Sequence, residues 1–288
     1  MLGHESLPQP NHENMDARRS RPLIAHRLVF IVAATLATLV GLSGARAESW
    51  HAIYSVSLIG LPIGTADVSG QISSTAYRIE ASAKIVGLAT VLSNAKGAAT
   101  GAGAIASGRV LPASFATTAA SAKMTRTVRM ALNEGVVTGV DISPPIEDRP
   151  GRVPLRDQDK HGVVDPVGSI VIPVSGAEPL VGPAACNRSI PIFDGYTRFD
   201  LRLSYVGQRR VSAKGYSGPV VVCSARYVPI AGHDPNRPAV KFMINNKQME
   251  VWLAPIESAR VLAPFRASLG TMIGTVVVEA EEFKLDAK

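Results

Sequence analysis

Residues 77–85, YRIEASAKI, alternate without a break. Tyr77, Ile79, Ala81, Ala83 and Ile85 fall on one side, and Arg78, Glu80, Ser82 and Lys84 on the other. A period of two sends successive side chains to opposite faces of an extended chain, so this segment reads as a half-buried strand. The same pattern recurs in YSVSL with Tyr54, Val56 and Leu58, and in VVVCSARYVPI, which AGHDPNRP stops. It returns in the tail GTVVVEAEEF. MTRTVRMAL and VVTGVDI flank Asn133-Glu134-Gly135, a three-residue hairpin connection. GLPIG, Gly60 to Gly64, reads as a turn, and KFMINNKQMEVWL as a hairpin about Asn245-Asn246-Lys247. Long helical periodicity is absent. The best helical segment is DPVGSIVI, Asp165 to Ile172, with Asp165 as N-cap and Pro166 at the first helical position. Strands with too little helix to cover them must bury one apolar face by curling, by a second sheet or against a ligand. The expected fold is therefore all-β and mainly antiparallel: a curved sheet, half-barrel or β-sandwich with at most one or two short helices.

The stretch CNRSIPIFDGYTRFDLRLSY, Cys186 to Tyr205, combines a cysteine, an Asp-Gly pair, aromatics and alternating charges. A two-residue turn at Asp194-Gly195 opposes Phe193 to Tyr196, Ile192 to Thr197 and Ile190 to Phe199. Ile190, Ile192, Phe199, Leu201 and Leu203 then share one face, and Pro191, Arg198, Asp200 and Arg202 the other. This register accounts for the segment by sheet pairing alone and leaves its charges no catalytic task.

Two regions break the strand pattern. KGAATGAGAIASG, Lys96 to Gly108, is nearly all small residues, which lets another backbone or a ligand approach closely. PPIEDRPGRVPLRDQDKHG, residues 144–162, is proline-rich and charged and reads as a long surface loop, either a lid or a disordered segment.

The front of the chain reads as a signal peptide. LVFIVAATLATLVGL, residues 28–42, follows Arg18, Arg19, Arg21 and Arg27, and Ala45-Arg46-Ala47 fits a cleavage site before Glu48. An apolar run of 15 residues is short for a membrane span, which takes about 20. Arg18-Arg19 invites a twin-arginine reading, but the residues after it, SRPLI, fit ordinary secretion better, and no cysteine marks the cleavage point for lipidation. The expected product, residues 48–288, suits one β domain. The whole chain carries +7; the leader holds five arginines and three acidic residues, so residues 48–288 keep 25 minus 20, or +5. That balance suits either peripheral contact with an anionic membrane or simply a soluble protein with scattered arginines. No basic run is interleaved with aromatics, so nucleic-acid binding has no support. The only cysteines, Cys186 and Cys223, read as a disulfide in an oxidising compartment. His51, His161 and His233 stand far apart in no ligand spacing, so no metal or other cofactor is implied.

The order and spacing of YSVSLIGLPIGTADVSG, CNRSIPIFDGYTRFDLRL, VVCSARYVPIAGH and WLAPIESARVLAPFRASLGTMIGTVVVEA resemble the exported bacterial family known as domain of unknown function 3108, over Tyr54 to Glu279. The resemblance implies an envelope protein built mainly of antiparallel strands. It supplies no activity, so no catalytic or binding residue follows from it. Curved-sheet carriers of lipids and lipoproteins in the periplasm are similar in architecture only.

Three functional classes follow. The leading one is a periplasmic binding protein whose concave apolar face, with Val56, Leu58, Ile79, Ala102, Phe199, Leu201 and Val222 as candidate lining, takes a lipid or other apolar envelope ligand. The second is a structural or interaction protein that pairs its strands with an envelope partner. The third is an enzyme, built on His161, Asp165 and Ser169 or on His233, Asp234 and Asp194. Neither set comes with a nucleophile elbow, paired catalytic carboxylates or a phosphate loop, so no catalytic residue is assigned. An outer-membrane barrel would need aromatic girdles, and aromatics are only 5% of the chain.

Overall fold

The structure, a computed structural model, describes residues 47–91, 93–147 and 149–287. The expected signal peptide lies outside the described residues except for Ala47. Among the described residues, no helix is long and apolar enough to cross a membrane.

The described residues form fourteen strands in one antiparallel sheet, built as two meanders joined by the first and last strands. The first meander runs β1 (Glu48–Leu58), β2 (Leu61–Ile72), β3 (Ala76–Ile85), β4 (Lys96–Ala106), β5 (Arg109–Ala120), β6 (Thr125–Asn133) and β7 (Val136–Ser143), each pairing with the next. A short β8 (Ile172–Pro173) follows the long loop, and then a one-turn helix α1 (Pro183–Cys186). The second meander is β9 (Arg188–Phe193), β10 (Arg198–Ala213), β11 (Tyr216–Ala231), β12 (Met249–Ile256), β13 (Val261–Thr271) and β14 (Gly274–Ala287), with α2 (Pro238–Asn245) between β11 and β12. β14 pairs with β1 along its length, from Glu48 opposite Ala287 to Leu58 opposite Val276.

The sheet curls because its two meanders pack against each other. β13 pairs with β14 only over Arg266–Thr271, and the edge it leaves is taken by the tip of the long β10–β11 hairpin. There the Lys214 amide donates to the Glu281 carbonyl at 3.1 Å, and the Phe283 amide donates to the Lys214 carbonyl at 2.9 Å. Trp50, Tyr216, Phe265 and Phe283 meet beneath this junction, with ring centroids 5.5–6.1 Å apart. Burying each such side chain contributes about 1.5–3 kcal/mol, an upper range.

Two cores result. The main one lies inside the curl and draws Ala52, Ile72, Ile79, Phe115 and Met130 from the first meander, and Phe193, Val220, Ile256 and Phe265 from the second. The other lies behind β9–β12 and gathers Ile190, Ile192, Leu203, Val221, Leu253 and Cys186 bonded to Cys223, with Cα atoms 5.4 Å apart. Because β11 sits between the two cores, its run Val220-Val221-Val222-Cys223 is buried on both faces and loses the clean alternation.

The loop 144–162 is tied down: the Val153 amide donates to the His233 carbonyl and its carbonyl accepts from the Gly232 amide. The chain then enters the curl. Val163, Val167 and Val171 are buried in the main core as a plug, and Val164 bridges to Ile192 on the free edge of β9. The segment expected as a helix from Asp165 to Ile172 is only a 3-10 turn, Gly168–Ile170. The Asp165 carboxylate accepts the Val167 and Gly168 amides at 2.8 and 2.9 Å, and the chain straightens into β8.

Other expectations shift by small amounts. The turn expected at Asp194-Gly195 is a four-residue loop, with Phe193 opposite Arg198. Asp194 accepts the Tyr196 and Thr197 amides and the Thr197 hydroxyl, which closes the wider turn. The hairpin at 133–135 closes on two residues, Glu134 and Gly135, both at positive φ. The first turn lies at Ile59-Gly60, and Gly64 belongs to β2, where a Cβ would stand 2.9 Å from the Lys84 carbonyl oxygen. KFMIN is the end of α2, started by Pro238 at its first position, so it is not one arm of a hairpin.

Candidate functional site

The two enzyme constellations do not assemble. Asp165 is fully buried and also accepts the Tyr77 hydroxyl at 3.3 Å. Burial raises its pKa above the ordinary carboxylate value and raises that of Tyr77 too. Ser169 donates to the Pro166 carbonyl at 2.7 Å, and His161 is exposed, so the three share no hydrogen bond. Asp165 works as the anchor of the plug. In the second set Asp194 is taken up by its turn, and Asp234 accepts the Asn236 amide. His233 instead lines a cleft of about 660 Å3 with Arg202, Arg226, Tyr227 and Lys247, and no carboxylate lines it. Among the described residues no group of three or more potential metal ligands is found.

The seven candidate lining residues are not brought to one surface. Ile79 is sealed in the main core, while Phe199 and Leu201 pack on the rear core. Val222 is buried opposite Gly207. Ala102 pairs with Arg78, on the outer face of the sheet, because Gly101 and Gly103 take the inward positions beside Ile79 and Tyr77. Leu58 ends β1, half-buried next to the first turn. Val56 alone lines an open trough.

That trough lies on the inner face where β1–β6 rise past the core toward their β1–β2, β3–β4 and β5–β6 connections. It holds about 560 Å3 and is lined by Val56, Ile85, Gly97, Ala119, Met124 and Arg126, among others. Its wall follows from the register: Ala83 faces Gly97, and Gly97 faces Ala119, so three small residues stand side by side. Ala83 and Ala119 point inward yet are exposed, because nothing fills the space before them. Lower on the same strand the plug does fill it. A Cβ on Gly101 would stand 2.8 Å from Val167, and 3.1 Å from the Asp165 carboxylate. The small-residue strand thus has two uses: its middle admits the plug and its start borders the trough.

Arg126 points inward at the rim, where its guanidinium donates to the Pro144 carbonyl at 3.3 Å. Lys84 and Lys96 sit directly opposite one another across β3 and β4. The outer face of the same strands carries a second groove, about 500 Å3, lined by Ile53, Ala98 and Ala120 together with Asp67, Ser82 and Thr118. A third hollow, about 310 Å3, lies at the far end against the plug. Arg188 lines it but already donates to the Pro173 and Ala184 carbonyls, at 2.9 and 2.6 Å. The trough is a concave surface with an apolar wall and room for a ligand; pockets of about 300–1,000 Å3 commonly hold one. Sequence reasoning reached Gly97 only as part of the small-residue stretch Lys96 to Gly108 and missed Ala83 and Ala119 as lining, although the inward parity of Ala83 was readable from YRIEASAKI.

No curated protein matches the chain. A crystal structure of a beta-barrel-like protein of domain of unknown function DUF1849 from Brucella abortus resembles the fold, with a TM-score of 0.51 and 12% identity, covering 84% of this chain and 99% of that one. The family model "Protein of unknown function (DUF3108)" matches residues 53–281.

Proposed function

The chain belongs to the DUF3108 family, a family of unknown function, and we propose that it is an exported, non-enzymatic binding protein of the cell envelope whose inner trough takes an acyl chain or similar apolar group. The observation that carries this reading is the exposure of inward-facing Ala83 and Ala119 beside half-buried Val56 and Ile85. An apolar concave surface left to water is costly, at about 25 cal/mol per Å2. A ligand chain covering it recovers that free energy. Arg126 at the rim suits a carboxylate or phosphate head on such a ligand. Export is supported by the leader pattern before Glu48 and by the Cys186–Cys223 bond.

The filled lower core supports a second reading, a structural envelope protein. β7 is an end strand of the sheet, and its outer edge offers pairing groups to a partner strand. Native mass spectrometry of protein purified from its own envelope separates the two. A bound mass matching a lipid or fatty acid, on a chain starting at Glu48, supports the carrier. An unliganded chain whose melting temperature ignores added fatty acids and phospholipids moves the structural reading ahead.

A further inference from the structure

The same end of the molecule carries large apolar side chains held out into solvent. Ile59 and Leu61, at the β1–β2 turn, are 68% and 70% exposed, and Met272 and Ile273, at the β13–β14 turn, are 60% and 71% exposed. These two turns are neighbours: the Ile59 amide donates to the Thr275 carbonyl at 2.9 Å. Four aliphatic side chains thus form one protruding patch, larger than the scattered apolar residues normal on a surface.

Ile59 is also strained. Its φ is 52°, in the left-handed region that β-branched residues avoid. Among the described residues the other non-glycine residues at positive φ are Ser107, Glu134 and Arg260, all polar. An isoleucine at a turn tip is unfavourable for the backbone and for solvation alike, and such a combination points to a task for the side chain.

Charge completes the picture. The β1–β2, β3–β4, β5–β6 and β13–β14 connections with their flanks, residues 57–62, 84–96, 119–126 and 270–275, contain Lys84, Lys96, Lys123 and Arg126 and no Asp or Glu; the chain leaving β7 at the same rim carries Glu147, which pairs with Arg149 at 3.9 Å. Lys84 and Lys96 face each other directly, a destabilising like-charge pair unless an anion lies between them. Neither makes an ion pair among the described residues. Protruding aliphatic tips flanked by cations match a bilayer interface with anionic headgroups better than the recess of a protein partner.

We infer that this end docks on an anionic lipid bilayer, with Ile59, Leu61, Met272 and Ile273 entering the acyl boundary and Lys84, Lys96, Lys123 and Arg126 against the headgroups. The trough opens between the same connections, so docking would set its mouth toward the lipid. The docking surface stands whether or not the trough is ever occupied.

The test is co-sedimentation of the purified protein with vesicles of phosphatidylcholine alone and of phosphatidylcholine mixed with phosphatidylglycerol, with the double variant I59N/I273S beside it. Asn tolerates the left-handed region, so Ile59→Asn should hold or raise the melting temperature and the variant should stay folded. The wild type should bind the mixed vesicles, release them as salt rises, and bind them about tenfold more tightly than the variant does. Failure of the wild type to bind, equal binding to both vesicle types, or unchanged binding by the variant overturns the proposal. So does a wild-type dimer that the variant dissociates, since the tips would then be a contact between two copies. Titration with a soluble fluorescent fatty acid, without vesicles, reports separately on the trough.

Discussion

Changing Gly101 to alanine should destabilise the protein, whereas the same change at Gly97, four residues earlier on the same strand, should not. At Gly101 a Cβ meets Val167 at 2.8 Å and the Asp165 carboxylate at 3.1 Å, and both belong to the buried plug. Overpacking of this kind costs about 1–3 kcal/mol. Removing a glycine from a strand interior returns about 0.5–1 kcal/mol. The two together span a loss of about 0–2.5 kcal/mol, and the 2.8 Å approach to Val167 places G101A in the upper part of that range. At Gly97 the nearest atom to a new Cβ is the Thr118 carbonyl oxygen at 3.4 Å, an ordinary contact. G97A should therefore keep only the backbone gain, about 0.4–1 kcal/mol of stabilisation. For a domain of this size about 1 kcal/mol moves the melting temperature by about 2–4 °C. Thermal unfolding followed by circular dichroism should place G101A below the wild type and G97A slightly above it. If G101A melts with the wild type, the plug is not seated on β4, and the division of that strand into a filled half and an open half is wrong.

Three further outcomes follow from the same geometry. Glu282 accepts hydrogen bonds from Lys214 and Lys284, which lower its pKa from 4.5 to about 2. A carboxylate with a depressed folded pKa stabilises above its unfolded value, and that contribution is lost as pH falls through the folded one. Urea midpoints should therefore drop between pH 4.5 and about 2, and E282Q should flatten that fall. Replacing both Cys186 and Cys223 by alanine opens a 37-residue separation and should cost about 3–4 kcal/mol in urea unfolding. Y77F removes the 3.3 Å hydrogen bond to buried Asp165 and should cost about 1 kcal/mol in the same assay, leaving the fold intact.

The strands were legible because half-buried sheet imposes a period of two, and β3 shows it without a break. The hairpin at Asp194 shows what survives an error. The register is displaced by two residues, since the Asp194 side chain closes a wider loop. A displacement of two preserves both faces, so Ile190, Ile192, Phe199, Leu201 and Leu203 still pack together on the rear core. A displacement of one would have reversed every side chain. The plug was not legible, because Val163, Val167 and Val171 sit in a loop whose burial depends on Gly101, more than sixty residues earlier, having no side chain. Nor could local pattern assemble the candidate lining. Ile79 and Phe199 both alternate correctly, but the inner side of the first meander and the side of β10 that bears Phe199 belong to different cores. Helix α2 announced itself through Pro238, and the β-like residues after it hid the signal.

The central claim, that the trough is a binding site, is tested most directly by filling it. Ala119 faces inward into the trough and is exposed, so A119W should occupy the space without disturbing either core. A102W, on the outer face of the neighbouring strand, is the control. Titration with a fluorescent fatty acid should show binding by the wild type and by A102W, with affinity at least about tenfold weaker in A119W, a difference of about 1.4 kcal/mol. Absence of binding by the wild type, or equal affinity in A119W and A102W, would contradict the account.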